Sequence, residues 1–212
     1  MKIIIIGSST GGPYILESIL SKFPVLPIAI ILVQHLPPAF TKPFTAHIAA
    51  LTQMNVVTAN SEEKITENSI YIAQSGYHLL ITNNRVFTLS EDVKVHGVRP
   101  AVDRTMLTIK KRAGDEIMGI ILSGMGRDGA EGMDYLHQIG GVTIAQDPAT
   151  SPIKSMPQAA IETGHVDFVL TPEQIREKMI SFGGSKFLMR NHKQFNTDKT
   201  ISCTDNSKGM IL

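Results

Sequence analysis

Short, wholly apolar runs alternate along this chain with stretches whose apolar residues recur every three or four positions. The first run, residues 2–6, contains four consecutive isoleucines and ends at Gly7. An uninterrupted apolar run of this length, bounded by glycine, predicts a strand buried on both faces. Residues 13–22 follow with Ile15, Leu16, Ile19 and Leu20 at helical spacing, and Pro13 suits a first helical position. The same rhythm predicts strands over 27–33, 117–122, 142–145 and 166–170, and a short one centred on Val56 and Val57. Helices are predicted over 40–51, 102–112, 129–139, 155–163 and 172–182. Residues 70–73, 78–82 and 85–89 read instead as a local antiparallel excursion, with Asn83-Asn84 as the hairpin turn.

This alternation predicts an α/β fold: a three-layer αβα domain with a doubly wound, mostly parallel sheet and a local antiparallel hairpin. No internal repeat is visible. From Gly183 onward Asn, Lys, Thr, Ser and Asp dominate. The expected organisation is one domain over residues 1–182 and a polar, disordered tail over 183–212.

Composition narrows the function classes. The chain of 212 residues suits one sizeable core. A net charge of +1 gives no reason to expect nucleic acid or an anionic membrane as partner. Cys203, the only cysteine, lies in the polar tail, which excludes intrachain disulfides and argues against a catalytic thiol. The opening apolar run is too short for a signal peptide, and nothing approaches a membrane span, so a cytoplasmic location is expected.

In a doubly wound sheet, functional groups collect where strands end at their carboxyl side. Three reactive residues follow predicted buried strands: Ser9 in Gly7-Ser8-Ser9-Thr10-Gly11-Gly12, His35 in Val33-Gln34-His35-Leu36-Pro37-Pro38, and Asp128 in Ser123-Gly124-Met125-Gly126-Arg127-Asp128-Gly129. A strand-to-helix turn of the form Gly-x-Ser-x-Gly can lift a serine above a sheet edge, and the helix N-terminus supplies free N–H groups for an oxyanion. Taken alone, the same turn also fits an anion-binding loop or a plain tight turn. Serine needs a base, and histidine needs a carboxylate to orient it, so Ser9, His35 and Asp128 together suggest a catalytic triad. Ser8 is a rival nucleophile. Asp103 and Asp147 are rival orienters that capping or turn roles would explain, and Asp128 itself could be a helix cap. His78 is a candidate for lining the site. No histidine has metal-ligand spacing with a partner Cys, Asp or Glu, so neither metal nor cofactor is expected.

Several motifs, in order, resemble the catalytic domain of CheB-type chemotaxis protein-glutamate methylesterases. They are Gly-Ser-Ser-Thr-Gly-Gly, Val-Gln-His-Leu-Pro-Pro-Ala-Phe-Thr, Arg-Pro-Ala-Val-Asp, Leu-Ser-Gly-Met-Gly-Arg-Asp-Gly-Ala-Glu-Gly-Met, Thr-Ile-Ala-Gln-Asp and Ser-Met-Pro-Gln-Ala-Ala. The resemblance covers residues 2–176. It implies a doubly wound α/β domain with Ser9, His35 and Asp128 as the triad, and the main-chain N–H groups of Thr10 and Met125 as oxyanion donors. It implies hydrolysis of γ-glutamyl methyl esters on the cytoplasmic helices of chemoreceptors, with deamidation of receptor glutamines as a further activity. Residues 1–182 would then be the methylesterase domain. An amino-terminal receiver domain, usual in the family, has no room before Ile3, which leaves open an isolated domain, a constitutively open stand-alone enzyme, or part of a larger assembly with a separate receiver or regulatory domain. Ser8, Ala39, Gln74 and Arg127 depart from the residues common in the family. The readings kept beside this one are a serine esterase or amidase with another acyl substrate, and a non-catalytic flavin- or phosphate-binding module.

Overall fold

Ile3 and Ile5 pack into one apolar cluster while Ile4 and Ile6 pack into another. Successive side chains of a strand point to opposite faces, so an unbroken apolar run is what a strand covered on both sides requires. The computed structural model describes residues 1–184. Its elements, in chain order, are β1 (Lys2–Ser8), α1 (Gly12–Leu20), β2 (Ala29–Gln34), α2 (Thr41–Leu51), β3 (Asn55–Thr58), β4 (Ser69–Ile72), β5 (His78–Ile81) and β6 (Phe87–Ser90). They continue with α3 (Val102–Thr108), β7 (Glu116–Ile121), α4 (Ala130–Gln138), β8 (Val142–Gln146), α5 (Ser155–Ile161), β9 (Phe168–Leu170) and α6 (Pro172–Gly184).

Seven strands form one sheet in the order β3-β4-β2-β1-β7-β8-β9, and every neighbouring pair is parallel. Residues of α3, α4 and α5 (Val102, Met106, Met133, Leu136, Met156, Ala160) cover one face. Residues of α1, α2 and α6 (Leu16, Ile19, Phe44, Ile48, Ile175, Met179) cover the other. The chain is therefore α/β with three layers. β5 and β6 form a separate antiparallel pair, whose Leu79, Ile81 and Phe87 join the cluster under α3.

Two expectations are corrected. Residues 70–73 do not belong to the antiparallel excursion: β4 lies parallel between β2 and β3. A four-residue apolar run can serve either arrangement, and the open edge of β2 decides. The helix predicted over 102–112 stops at Thr108, and Ile109 turns extended. Ile109 is fully buried and its carbonyl accepts from the Tyr135 hydroxyl at 2.8 Å, which draws the chain off the helical path. Apart from Gly183 and Gly184, which end α6, the tail and Cys203 lie outside the described residues. Among the described residues no helix is long and apolar enough to cross a membrane.

The β5–β6 turn carries Arg85, the largest fully buried side chain among the described residues. Arg85, at φ 61°, donates from its buried guanidinium to Asp115 and to the Lys110 carbonyl. Burial works to raise the Asp115 carboxyl, but Arg85 and the Arg112 N–H outweigh it and hold it below the usual carboxylate range. Arg85→Ala removes this partner but leaves Asp115 its contacts with the Met1 amino group and with Arg112, so it should cost about 1–3 kcal/mol, read as a lower urea midpoint.

Candidate active site

Strand order reverses at β1: the chain proceeds outward to β2 on one side and later returns to β7 on the other. Connections from adjacent strands diverge at such a point and open a crevice above their carboxyl ends. Ser9 follows β1, His35 follows β2, and the 123–129 loop follows β7. In the β1–β2 ladder Ser8 stands opposite Gln34, so Ser9 and His35 leave neighbouring strands at the same level.

Gln34 fastens these two exits together. Its Nε2 donates to the Ser9 carbonyl at 3.0 Å and to the His35 carbonyl at 3.1 Å, and its Oε1 accepts from the Ser8 hydroxyl at 2.5 Å. The His35 N–H adds a bond to the Ser8 carbonyl at 3.0 Å. Ser8 is fully buried and committed to Gln34, whereas Ser9 is half-buried. That separates the adjacent serines: Ser8 braces the turn, and Ser9 is the one presented to the crevice. A strand-ending glutamine gave no sequence signal for this role.

His35 Nε2 meets Asp128 Oδ2 at 2.8 Å. Asp128 is 2% exposed, and both its oxygens also accept main-chain donors, Oδ2 from Val102 N at 2.7 Å and Oδ1 from Asp103 N at 3.0 Å. These are first-turn N–H groups of α3, so the carboxylate sits at the positive end of a helix that lacks a side-chain cap of its own. Burial pushes the Asp128 carboxyl up, but the His35 bond and the Asp103 and Val102 N–H groups together prevail and hold it below the usual range. An ionised carboxylate accepts only, so it assigns the proton to Nε2 and leaves the lone pair on Nδ1. Among the described residues neither Nδ1 nor the Ser9 hydroxyl has a hydrogen-bond partner. The structure thus joins His35 to Asp128 and leaves the Ser9–His35 bond unmade, as is common before substrate tightens a site.

The loop that carries Asp128 is braced on both sides of Met125. Gly124 donates to the Ile153 carbonyl and accepts from Met156 N and the Ser155 hydroxyl, while Gly126 N donates to that hydroxyl at 3.1 Å. Ser123 Oγ donates to the Thr10 carbonyl at 2.9 Å, and Ser9 N donates to the Ser123 carbonyl at 3.0 Å. The N–H groups of Thr10 and Met125 have no protein acceptor among the described residues. Gly11 adopts φ 80°, a conformation that favours glycine, just before α1 begins. At Gly124 an added Cβ would lie 2.2 Å from Met156 Sδ and 2.8 Å from Ser9 Cβ. The thioether can swing away; Ser9 cannot move without displacing its hydroxyl. Gly124→Ala is therefore expected to lower kcat by about 10²-fold, measured by steady-state ester hydrolysis.

The remaining candidates fall elsewhere. His78 does not line the site: it is fully buried, its Nδ1 accepts from Ala101 N at 3.2 Å and its Nε2 donates to the Val93 carbonyl at 3.0 Å. Its neighbours close over it, and it supports the wall behind the crevice. Asp147 accepts from Ala149 N at 2.8 Å in its own turn. Asp103 sits behind Asp128, where its own N–H donates to Asp128. His96, Asp103 and Asp128 bring one potential metal-ligating atom each within 4.8 Å of one another. Both oxygens of each carboxylate already accept protein donors, however. A cleft of about 520 Å³ runs from His35 past Leu36, Pro37 and Pro38 to the 94–100 segment, with Lys94 on its rim.

The CheB methylesterase family model matches residues 4–179. The chain is 42% identical over 181 residues to the protein-glutamate methylesterase/protein-glutamine glutaminase of Pyrococcus horikoshii, covering 84% of this chain and 49% of that protein. Identity to the protein of the same name from Clostridium acetobutylicum is 35% over 178 residues, covering 84% and 52%. The chain thus spans about half the length of the curated relatives it matches. Among solved structures, the crystal structure of the Thermotoga maritima CheB methylesterase catalytic domain superposes with a TM-score of 0.80 at 38% identity, covering 85% of this chain and 97% of that one.

Proposed function

Because this chain belongs to the CheB methylesterase family, we propose that it hydrolyses glutamate methyl esters on the cytoplasmic helices of chemoreceptors, with Ser9, His35 and Asp128 as its triad. The observation that carries this reading is the His35 Nε2–Asp128 bond, which leaves Nδ1 unprotonated on an imidazole level with Ser9.

The chemistry follows from that placement. Ser9 Oγ attacks the ester carbonyl carbon while its proton passes to His35 Nδ1. The resulting oxyanion lies against the N–H groups of Thr10 and Met125, which have no competing acceptor among the described residues. The bond to the methoxy oxygen breaks as Nδ1 returns the proton, and methanol departs. Water then attacks the acyl-serine, giving its proton to Nδ1. Ser9 Oγ leaves with that proton and the glutamate carboxylate is restored. Asp128 stays ionised throughout and stabilises the imidazolium formed at each step. Glutamine presents an amide at the same carbonyl position, so deamidation would use the same groups and release ammonia. No step needs a metal or cofactor.

The test is methanol release from a methylated receptor cytoplasmic fragment, run beside a panel of small esters and amides. Methanol release is expected. Turnover of small esters with none from the receptor would favour a serine hydrolase with another acyl substrate. Visible absorbance in the purified protein would favour a flavin-binding module. We also infer that residues 1–182 constitute the catalytic domain.

A further inference from the structure

Nine large apolar side chains are exposed among the described residues, and four of them stand at one edge of the sheet. Tyr14, Phe40, Met125 and Ile153 lie in the segments that follow β1, β2, β7 and β8 at their carboxyl ends. Those strands are neighbours in the order β2-β1-β7-β8, so the four residues form a row along that edge, with Ser9 inside it. Tyr14 is 74% exposed and Met125 76%, so neither side chain is spent on the core. Apolar side chains met singly on a surface are ordinary, whereas several along one edge mark an interaction surface.

The main chain under these residues is fixed. Met125 lies between Gly124 and Gly126, whose hydrogen bonds brace the loop on both sides. Ile153 is tied to the same loop: its N–H donates to Ser123 Oγ at 3.0 Å, and its carbonyl accepts from Gly124 N at 3.0 Å. Pro152 lies against the Ser9 turn, where a Cβ added to Gly11 would meet the Pro152 Cβ at 2.9 Å. Tyr14 follows Pro13 in the first turn of α1, and the Phe40 N–H closes a turn onto the Pro37 carbonyl at 2.9 Å. Side chains carried on a fixed main chain lose less freedom on binding, so more of their burial appears as affinity.

Neighbouring strands lie about 4.8 Å apart, close to the helical pitch of about 5.4 Å. A helix laid along the row therefore meets it about once per turn, at the spacing of one apolar helix face. We propose that Tyr14, Phe40, Met125 and Ile153 form a docking ridge for the ester-bearing receptor helix and make the enzyme prefer an amphipathic helix to an isolated ester. This rests on the methylesterase reading given above. Continuity with the crevice names the occupant, because a helix that delivers a side-chain ester to Ser9 has to lie over the loops on either side of it. Met125 then serves twice, with its N–H toward the oxyanion and its thioether toward the helix. A flexible thioether adapts to differing side chains, which suits an enzyme that reads more than one site.

The experiment titrates a fluorescently labelled, methylated receptor cytoplasmic fragment with the full chain carrying Ser9→Ala, so that binding is read without turnover. Adding Tyr14→Ser and Ile153→Ser together should weaken binding by about 10-fold. Adding Val25→Ser instead, an exposed apolar position before β2 at the opposite edge, should leave it unchanged. With Ser9 restored, the Tyr14 and Ile153 pair should raise KM for the fragment and lower its kcat/KM relative to that of a small ester. If the pair melts early, Tyr14→Ser alone carries the test, with binding expected to weaken about threefold. Equal binding by the ridge variant, an equal loss in Val25→Ser, or no binding at all overturns the proposal. So does a dimer in sedimentation that the ridge variant abolishes, since a second copy would then own the ridge. Methanol release judges the methylesterase reading separately: a fragment that binds through the ridge yet releases none sinks that reading and leaves the docking ridge standing.

Discussion

Ser9→Ala should lower kcat for ester hydrolysis by about 10⁶-fold, with folding stability changed by less than about 0.5 kcal/mol. The two parts of this expectation have separate causes. The Ser9 hydroxyl has no hydrogen-bond partner among the described residues, so its loss strands nothing. The turn is held instead by the Ser9 main chain, through Ser123, Gly12 and Gln34. In the proposed mechanism this hydroxyl forms the acyl intermediate, and alanine has nothing to replace it. His35→Ala should cost a similar factor, and the double variant little more, because the residues act as one unit. Residual turnover above about 1% in Ser9→Ala, with melting unchanged, would remove Ser9 from the mechanism.

Asp128→Asn should lower kcat by about 10⁴-fold while the domain still folds. Both oxygens of Asp128 accept hydrogen bonds, Oδ2 from His35 and Val102 N together. An asparagine offers one acceptor and one donor, so one of these contacts meets an N–H instead. If the amide nitrogen faces His35, the imidazole proton moves to Nδ1 and the base is lost. If it faces Asp103 N, the α3 cap is lost.

The pH dependence of stability carries the same signature. A carboxyl held below its unfolded value of 3.8 contributes stability that is complete above that value and disappears as pH falls through the folded one. Asp128→Asn should therefore lose less stability than wild type between pH 6 and pH 3, by urea unfolding at each pH. The loss should not vanish, because Asp115 shifts in the same direction. Asp103, shifted upward, contributes with the opposite sign, losing stability as pH rises through its raised value.

Much of the fold was legible because its causes are local. A run such as Ile3 to Ile6 has no polar face, so it suits a strand buried on both sides. Leu16, Ile19 and Leu20 recur at helical spacing because one side of α1 is buried. Pairing partners are another matter. Residues 70–73 carry no label for parallel or antiparallel neighbours, and β4 entered the main sheet because an edge of β2 was open. The turn after β5 shows the same limit: Asn83 and Asn84 are the obvious turn formers, yet Arg85 takes the left-handed conformation, with its guanidinium bound to Asp115.

The candidate site divides along the same line. Ser9, His35 and Asp128 could be singled out because each follows a recognisable strand, and the shared rim of a parallel sheet does the rest. His78 was misleading since a histidine's chemistry looks identical whether it faces a cleft or is enclosed by Val93 and Ala101. Gln34 and Gly124 had no individual signal, because their roles exist only as distances to other segments.

The linear chain by itself determined which segments become strands and helices, and which reactive groups stand at strand ends, since both depend on residue order and burial pattern. Only the tertiary structure decided that Asp128 binds Nε2 and that Ser8 is occupied while Ser9 is presented. Those outcomes depend on angles and separations of a few ångströms between residues as far as 93 positions apart, and no local pattern encodes them.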